Sequence, residues 1–385
     1  MTTSQSIIPS YTVWIGSQTG ERYQTIKGIS KISVGLAQNN WGVAEVVFAG
    51  RDSFGKEFDF GLVQEDGWLE VWRGVNDQPK QMQGESPFLT VLSEQSISKN
   101  GAYTIRLVGY SAAFIASWPI VAYDAGTAYS AKTGAADDMI KEIAAENVGA
   151  SATDTSRDMS DLLTIQTDSS EGETITKSFA RRKLNLIYNE LCEASANQGT
   201  RLFWDVVLSS PSDLTTRLLQ LKTYAGTRGE NRGLDSDSPL IFSHKYGNLE
   251  NVSLTRDYKG VVNRAFGLGQ GTEAARNVQT ASDATRIAAS PFGYIKEATR
   301  QASMATTDNA VLAEAYTLLR DKRVRLQLAG DIVNTPSCQF GTHWNHGDLV
   351  VVEEFRERHE AIISPVSLDY SGGKETIHAK LQVEV

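Results

Sequence analysis

Residues 238–271 read SPLIFSHKYGNLENVSLTRDYKGVVNRAFGLGQG. Leu240, Ile241 and Phe242 open an apolar strand, and Gly247 and Asn248 supply turn chemistry. Val252 and Leu254, then Val261, Val262, Ala265 and Phe266, predict two further strands around the polar corner at 256–260. The stretch reads as a β-meander, so its product is sheet rather than a catalytic loop.

The strand signal continues in both directions. Upstream, 12–16 and 22–27 flank Ser17-Gln18-Thr19-Gly20 as a hairpin, because glycine takes the positive φ such a loop needs. Residues 29–36 alternate apolar and polar, and 42–48, 68–72, 88–97 and 102–108 follow, parted by turn pairs such as Asp66-Gly67 and Asn100-Gly101. Short strands at this spacing with almost no helix predict a closed barrel or a sandwich. Downstream, strands are predicted at 324–328, 348–353, 359–368 and 375–383, the last two joined across Ser371-Gly372-Gly373. In Ile377, Ala379, Leu381 and Val383 the period of two is clean.

Helical periodicity is confined to a few segments. A short helix is expected at 111–116. From 135 an amphipathic helix carries Met139, Ile140, Ile143 and Ala144 on one face, with Asp137 and Lys141 paired on the wet side. A longer one spans 178–197, where Leu184, Ile187, Tyr188 and Leu191 recur at helical spacing ahead of Gly199 as the cap. Another spans 307–320, with Val311, Leu312, Ala315, Leu318 and Leu319 on one face. Residues 149–174 and 217–233 read as polar loops, and 272–306 are polar, alanine-rich and only weakly periodic. The resulting class is α+β, mainly β: a first β unit at 1–125, an α/β insertion at 126–215, a second β unit at 216–272 and 331–385, and a helical excursion at 273–330.

A chain of 385 residues exceeds what one core usually supports, so several domains are expected. Acidic residues outnumber basic ones, 46 to 37, and the formal charge of −9 argues against the basic footprint of a duplex-binding protein. The first ten residues have no basic residue and no apolar core, unlike a secretory signal, which places synthesis in the cytoplasm. The most apolar run, 112–123, is broken by Ser117 and Pro119 and falls short of the roughly 20 residues that span a bilayer. Cys192 and Cys338 are too few for a disulfide framework or a cysteine metal site, and read as buried thiols.

Each chemical motif has a plainer reading. Gly267-x-Gly269-x-Gly271 misses the dinucleotide spacing by one residue and opens no helix, so its glycines mark a strand end or bulge where backbones approach. His343 and His346, with Glu353 or Glu354 nearby, lack a third ligand at metal spacing and read as a polar loop. Glu353 and Glu354 are adjacent on a strand and face opposite ways, so they do not form a glycosidase pair. The basic runs Arg181-Arg182-Lys183 and Arg320, Lys322, Arg323, Arg325 read as solvated faces. Asn251-Val252-Ser253 matches a glycosylation sequon without an export signal. The seven tryptophans are scattered and belong to cores or interfaces. No nucleophile elbow, zincin helix or P-loop occurs, and no catalytic, cofactor-binding or metal-ligating residue is predicted.

Several blocks, in consistent order, resemble the hub proteins at the tail tip or baseplate of long-tailed bacteriophages and related injection machines. They are 11–50, the LEVWRG of 69–74, AADDMIKEIAAENVG at 135–149, the 238–271 stretch followed by Arg276, and His346-Gly347-Asp348-Leu349-Val350-Val351. The polar tract 149–174 and the glycine-arginine loop before Ser238 depart from the pattern. The resemblance implies two tube-like β-barrel domains per subunit and a homotrimer, whose six barrels match a hexameric tail tube while the trimer meets three-fold tip or fibre proteins. It further implies a structural, non-enzymatic virion component around a channel for the tape-measure protein and the genome. DNA would pass without specific binding, past an acidic lumen, and no membrane is entered. The alternative is a tail-tip glycan-binding or cell-wall-degrading enzyme, but a lytic domain would be an added segment, and the chain is expected to end on its strand at 375–385.

Overall fold

The computed structural model describes residues 8–76, 78–210, 218–302, 305 and 307–382. With 43% strand and 19% helix the protein is mainly β. It divides into two compact units, one gathering the chain up to Val252 together with Gly330–Gln382, the other Ser253–Ala329.

The larger unit starts with strands β1 (Pro9–Gly16), β2 (Arg22–Thr25), β3 (Ile29–Leu36), β4 (Val43–Ala49), β5 (Trp68–Val75), β6 (Gln81–Met82), β7 (Phe88–Ile97) and β8 (Tyr103–Ser111). Their alternation is the cause of the packing: Val13 and Ile15, Ile32 and Val34, Val46 and Phe48, Leu69 and Val71, Ile105 and Leu107 all point inward and are buried. Strand β1 pairs with β2 and β5, and the order continues β5, β7, β8, β4, β3. Here the predicted strands stand almost where periodicity put them.

The insertion follows a 3₁₀ turn at Ala112–Ser117 and contains β9 (Ile120–Val121), β10 (Ser130–Ala135), α1 (Ala136–Val148), β11 (Leu163–Ile165), β12 (Thr174–Phe179), β13 (Arg182–Lys183), α2 (Leu184–Gln198), β14 (Leu202–Leu208) and β15 (Leu219–Ala225). Its core joins Met139, Ile140 and Ile143 of α1 to Ile187, Tyr188 and Leu191 of α2 and to Trp204 and Val206 of β14. Three expectations are corrected. Residues 178–183 are not helix: β12 runs to Phe179, the chain turns at Arg181 with a left-handed φ of 53°, β13 takes Arg182–Lys183, and α2 starts only at Leu184. Residues 219–225 are a strand, not loop, since β15 lies between β14 and the parallel β11; Arg217 lies outside the described residues. The Asp137–Lys141 pair forms, but it is buried: segment 169–172 covers the start of α1, with Ser169 Oγ and Gly172 N–H donating to the Asp137 carboxylate.

The 238–271 stretch is three strands but not a meander. Strand β16 (Ile241–Phe242) belongs to the large sheet, β17 (Leu249–Asp257) to a two-stranded one, and β18 (Arg264–Leu268) to a three-stranded one with β19 (Val278–Ser282) and β20 (Glu297–Gln301). The first turn explains the divergence. Asn248 Oδ1 accepts from Ser243 N–H, its Nδ2 donates to the Ile241 carbonyl, and Gly247 sits at φ 68°, so the chain leaves the sheet instead of folding back on it. In the smaller unit, helices α3 (Ala284–Ala289) and α4 (Asp308–Asp321) accompany that three-stranded sheet, so 278–282 and 297–301 are strands where no element was expected. Ala265 and Ala281 pack under Ala315, Leu318 and Leu319 of α4. A Cβ at Gly267 would overlap the Val311 carbonyl oxygen, so the glycine read as a close-approach residue is one.

The chain returns through β21 (Arg325–Ile332), which pairs with β17, and closes on β22 (Leu349–Glu354), β23 (Glu357–Ser371) and β24 (Lys374–Gln382); Val383 lies outside the described residues. Strand β16 runs parallel to β22. Strand β23 is the join: its first half pairs with β22, its second half with β3, and the register shifts between Ile363 and Val366. Strands from the two ends of the sequence therefore share one twelve-stranded sheet, and among the described residues its pairing path stays open rather than closing into two barrels. Among the described residues no helix is long and apolar enough to cross a membrane.

Candidate functional site

The His346-Gly347-Asp348 turn enters β22 and borders a cavity in the larger unit. Gly347, at φ 91°, donates its N–H to the Ile363 carbonyl, and its own carbonyl accepts from Gly229 N–H and Thr227 Oγ1. Asp348 is buried and spends its carboxylate on backbone: Oδ1 accepts from Glu230 N–H at 2.8 Å and Oδ2 from Asn345 N–H at 2.8 Å. Burial nevertheless raises its pKa. The side chain thus binds segment 227–232 to the start of β22.

Beside it, Arg228 meets Asp205 of β14 through Nη2 and through Nε at 3.1 Å, while Nη1 lies 3.4 Å from Glu85. Burial pushes the Asp205 carboxyl up and the Arg228 charge opposes it; the guanidinium itself stays protonated, because its carboxylate partners outweigh its own desolvation. His346 is 8% exposed, with Nε2 3.4 Å from Ser364 Oγ. Burial first, and the Arg228 charge second, lower its pKa to about 3, so the imidazole is neutral. These groups line a cavity of about 390 Å³ together with Asn40, Gln83, Glu230 and Phe340. The hydroxyls that also line it are engaged: Ser111 Oγ accepts from Gly42 N–H and Ser86 Oγ from Ala112 N–H. Chemically the arrangement is a polar clamp.

A second buried cluster ties the ends of the sequence together. Arg73 of β5 donates from Nε and Nη2 to the two Glu375 oxygens of β24, both at 2.7 Å, and from Nη1 to the Phe340 carbonyl at 3.2 Å. Tyr11 Oη donates to the same carboxylate. Burial alone would lower the Arg73 pKa, but the Glu375 carboxylate raises it overall, and burial beside that carboxylate raises Tyr11.

The residues weighed in the sequence are dispersed. His343 Nδ1 accepts from Gln339 N–H, apart from the partner of His346, and no group of three His, Cys, Asp or Glu among the described residues is placed to hold a metal ion. Glu353 pairs with Arg358, whereas Glu354 accepts from Ser243 Oγ and His244 N–H. Trp68, Trp204 and Trp344 are core residues, and Trp118 is exposed. Both cysteines are buried, and burial raises both thiols. Sequence reasoning missed Arg73 and Glu375, although a signal exists: Arg73 falls in phase with inward Leu69 and Val71, and Glu375 with Ile377, Ala379 and Leu381. A charge on the buried phase of a strand demands a partner.

The family model described as Siphovirus ReqiPepy6 Gp37-like protein matches residues 91–381, and the chain belongs to that family of siphovirus tail proteins. No curated protein matches it. Its fold is similar to the 43 kDa tail protein of prophage MuSo2 from Shewanella oneidensis, at 11% identity and a TM-score of 0.56, over 97% of this chain and 98% of that one. It is also similar to a tail protein from Neisseria meningitidis MC58, at 12% identity and 0.55, over 97% of each chain. A third likeness is to a chain of the Francisella PdpA–VgrG complex, at 12% identity and 0.54, over 100% of this chain and 53% of that one.

Proposed function

We propose that this member of the Siphovirus ReqiPepy6 Gp37-like family is a non-enzymatic structural hub of the tail tip or baseplate. Three copies form a ring that joins the six-fold tail tube, or a distal tail protein, to three-fold tip or fibre proteins. The ring surrounds the channel through which the tape-measure protein and genome leave. Each copy supplies two tube-like β modules, one built on β1–β8 and one on the strands after residue 330. The protein is made in the host cytoplasm and incorporated into the virion tail.

The supporting observation is the family match, reinforced by the sheet in which β23 carries the C-terminal strands onto β3. Such a continuous pairing lets one polypeptide present two β modules as a single rigid wall segment. The channel wall is acidic in this reading, in keeping with the formal charge of −9, because repulsion keeps a polyanion from adhering. Native mass spectrometry at micromolar concentration tests it: a trimer is expected, and electron micrographs should show rings. A monomer under those conditions refutes it.

A further inference from the structure

The basic run 181–183, read from sequence as a solvated face, lies in a cluster with exposed aromatic and apolar side chains. Strand β9 pairs with β13, setting Ile120 opposite Lys183 and Val121 opposite Arg182. Around this pair Trp118, Ile120, Tyr123 and Tyr129 are exposed by 38%, 36%, 46% and 62%, an unusual density of large apolar surface for twelve residues. Arginines accompany the rings: Arg157 lies 4.4 Å from the Tyr123 ring centre and Arg181 6.0 Å from that of Tyr129.

Arg182 pairs with Glu190, which also meets Lys177, whereas among the described residues neither Arg181 nor Lys183 is paired with a carboxylate. Arg181 Nη2 donates to the Asp124 carbonyl and Lys183 Nζ to the Trp118 carbonyl, so their positive charge remains available. Ala122 and Arg181 both hold left-handed φ angles, 45° and 53°, on the two facing segments. Such conformations persist where the surrounding structure imposes them. Tyrosine, tryptophan and arginine around an apolar centre are the residues that dominate protein–protein contacts.

The complementary surface lies on the same chain. In the loop Leu234-Asp235-Ser236-Asp237, Leu234 is 48% exposed and both aspartates face solvent. The loop is held in place, with Leu234 N–H on Glu360 Oε1 at 2.8 Å and Ser236 N–H on the Gly233 carbonyl. An exposed leucine followed by two exposed carboxylates matches an aromatic patch edged by Arg181 and Lys183. A cyclic oligomer requires a patch on one copy to meet a different patch on the next.

We infer that the Trp118–Tyr123–Tyr129 patch, with Arg181 and Lys183, docks on the Leu234–Asp237 loop of a second copy of this chain and forms the subunit contact of the ring. The inference rests on the proposed trimer and names its interface. The test is light scattering of the purified full chain at micromolar concentration, with circular dichroism to confirm folding. Charge reversal on either side alone, by Arg181→Glu with Lys183→Glu or by Asp235→Lys with Asp237→Lys, should weaken assembly at least about a hundredfold, because like charges then face each other. Combining all four substitutions in one chain should restore the wild-type mass. A wild-type trimer whose reversed variants stay trimeric, or a combined variant that is not rescued, overturns the inference and leaves the hub reading standing. A monomeric wild type overturns both.

Discussion

Replacing Glu375 by glutamine keeps the shape of the side chain but removes the charge that balances Arg73. The two side chains are 3% and 5% exposed, so little solvent can take over. Arg73 loses two charge-assisted bonds of 2.7 Å each, and its guanidinium is left buried against the neutral Phe340 carbonyl. Breaking such a pair costs about 3–5 kcal/mol. At about 2–4 °C per kcal/mol in a large domain, Glu375→Gln should lower Tm by about 6–20 °C in differential scanning calorimetry. The companion variant is Tyr11→Phe with Arg73→Met and Glu375→Leu, which removes the charge, its partner and the dependent hydroxyl together. Replacing a whole buried pair by apolar groups is often close to neutral, so this triple variant should recover most of the loss. A single variant within about 1 kcal/mol of wild type would show that the pair is effectively solvated. A triple variant no better than the single one would show that packing, not unpaired charge, carries the cost. Either result refutes the reasoning.

His346 is held neutral in the fold, with a pKa near 3, whereas the unfolded chain protonates near 6.5; stability therefore falls as pH drops through that window. Between pH 7 and pH 5 the term is about 2 kcal/mol, and His346→Gln should flatten the corresponding slope of Tm against pH. Asp137 has its pKa lowered to about 2: desolvation opposes ionisation, but the Gly172 N–H, the Ser169 hydroxyl and Lys141 outweigh it. Its contribution is present above about pH 4 and lost as pH falls towards 2, so acid unfolding followed by circular dichroism should begin at higher pH in wild type than in a chain lacking that titration, Asp137→Asn with Lys141→Met. Gly267→Ala forces β18 away from Val311 and should cost about 1–3 kcal/mol, seen as faster hydrogen exchange in Ser253–Ala329 with the larger unit unchanged.

Strand positions in β1, β3–β5, β7, β8 and β22–β24 were legible because one face is buried and period two records it directly, as in Ile32 and Val34 or Ala379 and Leu381, whereas the two-residue β6 was not predicted. The helices were legible in α1, α2 and α4 for the same reason at helical period. The ion pairs were half legible: Arg73 and Glu375 betray themselves by phase, but their partnership spans 302 residues of sequence. The Arg228–Asp205 clamp left no comparable trace, since Arg228 sits in an irregular segment where no period applies.

By itself the sequence determined a mainly β chain with helical insertions, the location of most strands, and a set of blocks shared with phage tail hubs. Those are local properties, written in spacing, turn residues and composition. Only the tertiary structure decided which strands meet: that 238–271 is divided among three sheets, that β23 joins the last strands to β3, and that Asp137 and Lys141 lie inside. Periodicity states that a strand has a buried face, but not whose backbone completes its edge, and that choice is made by residues hundreds of positions away.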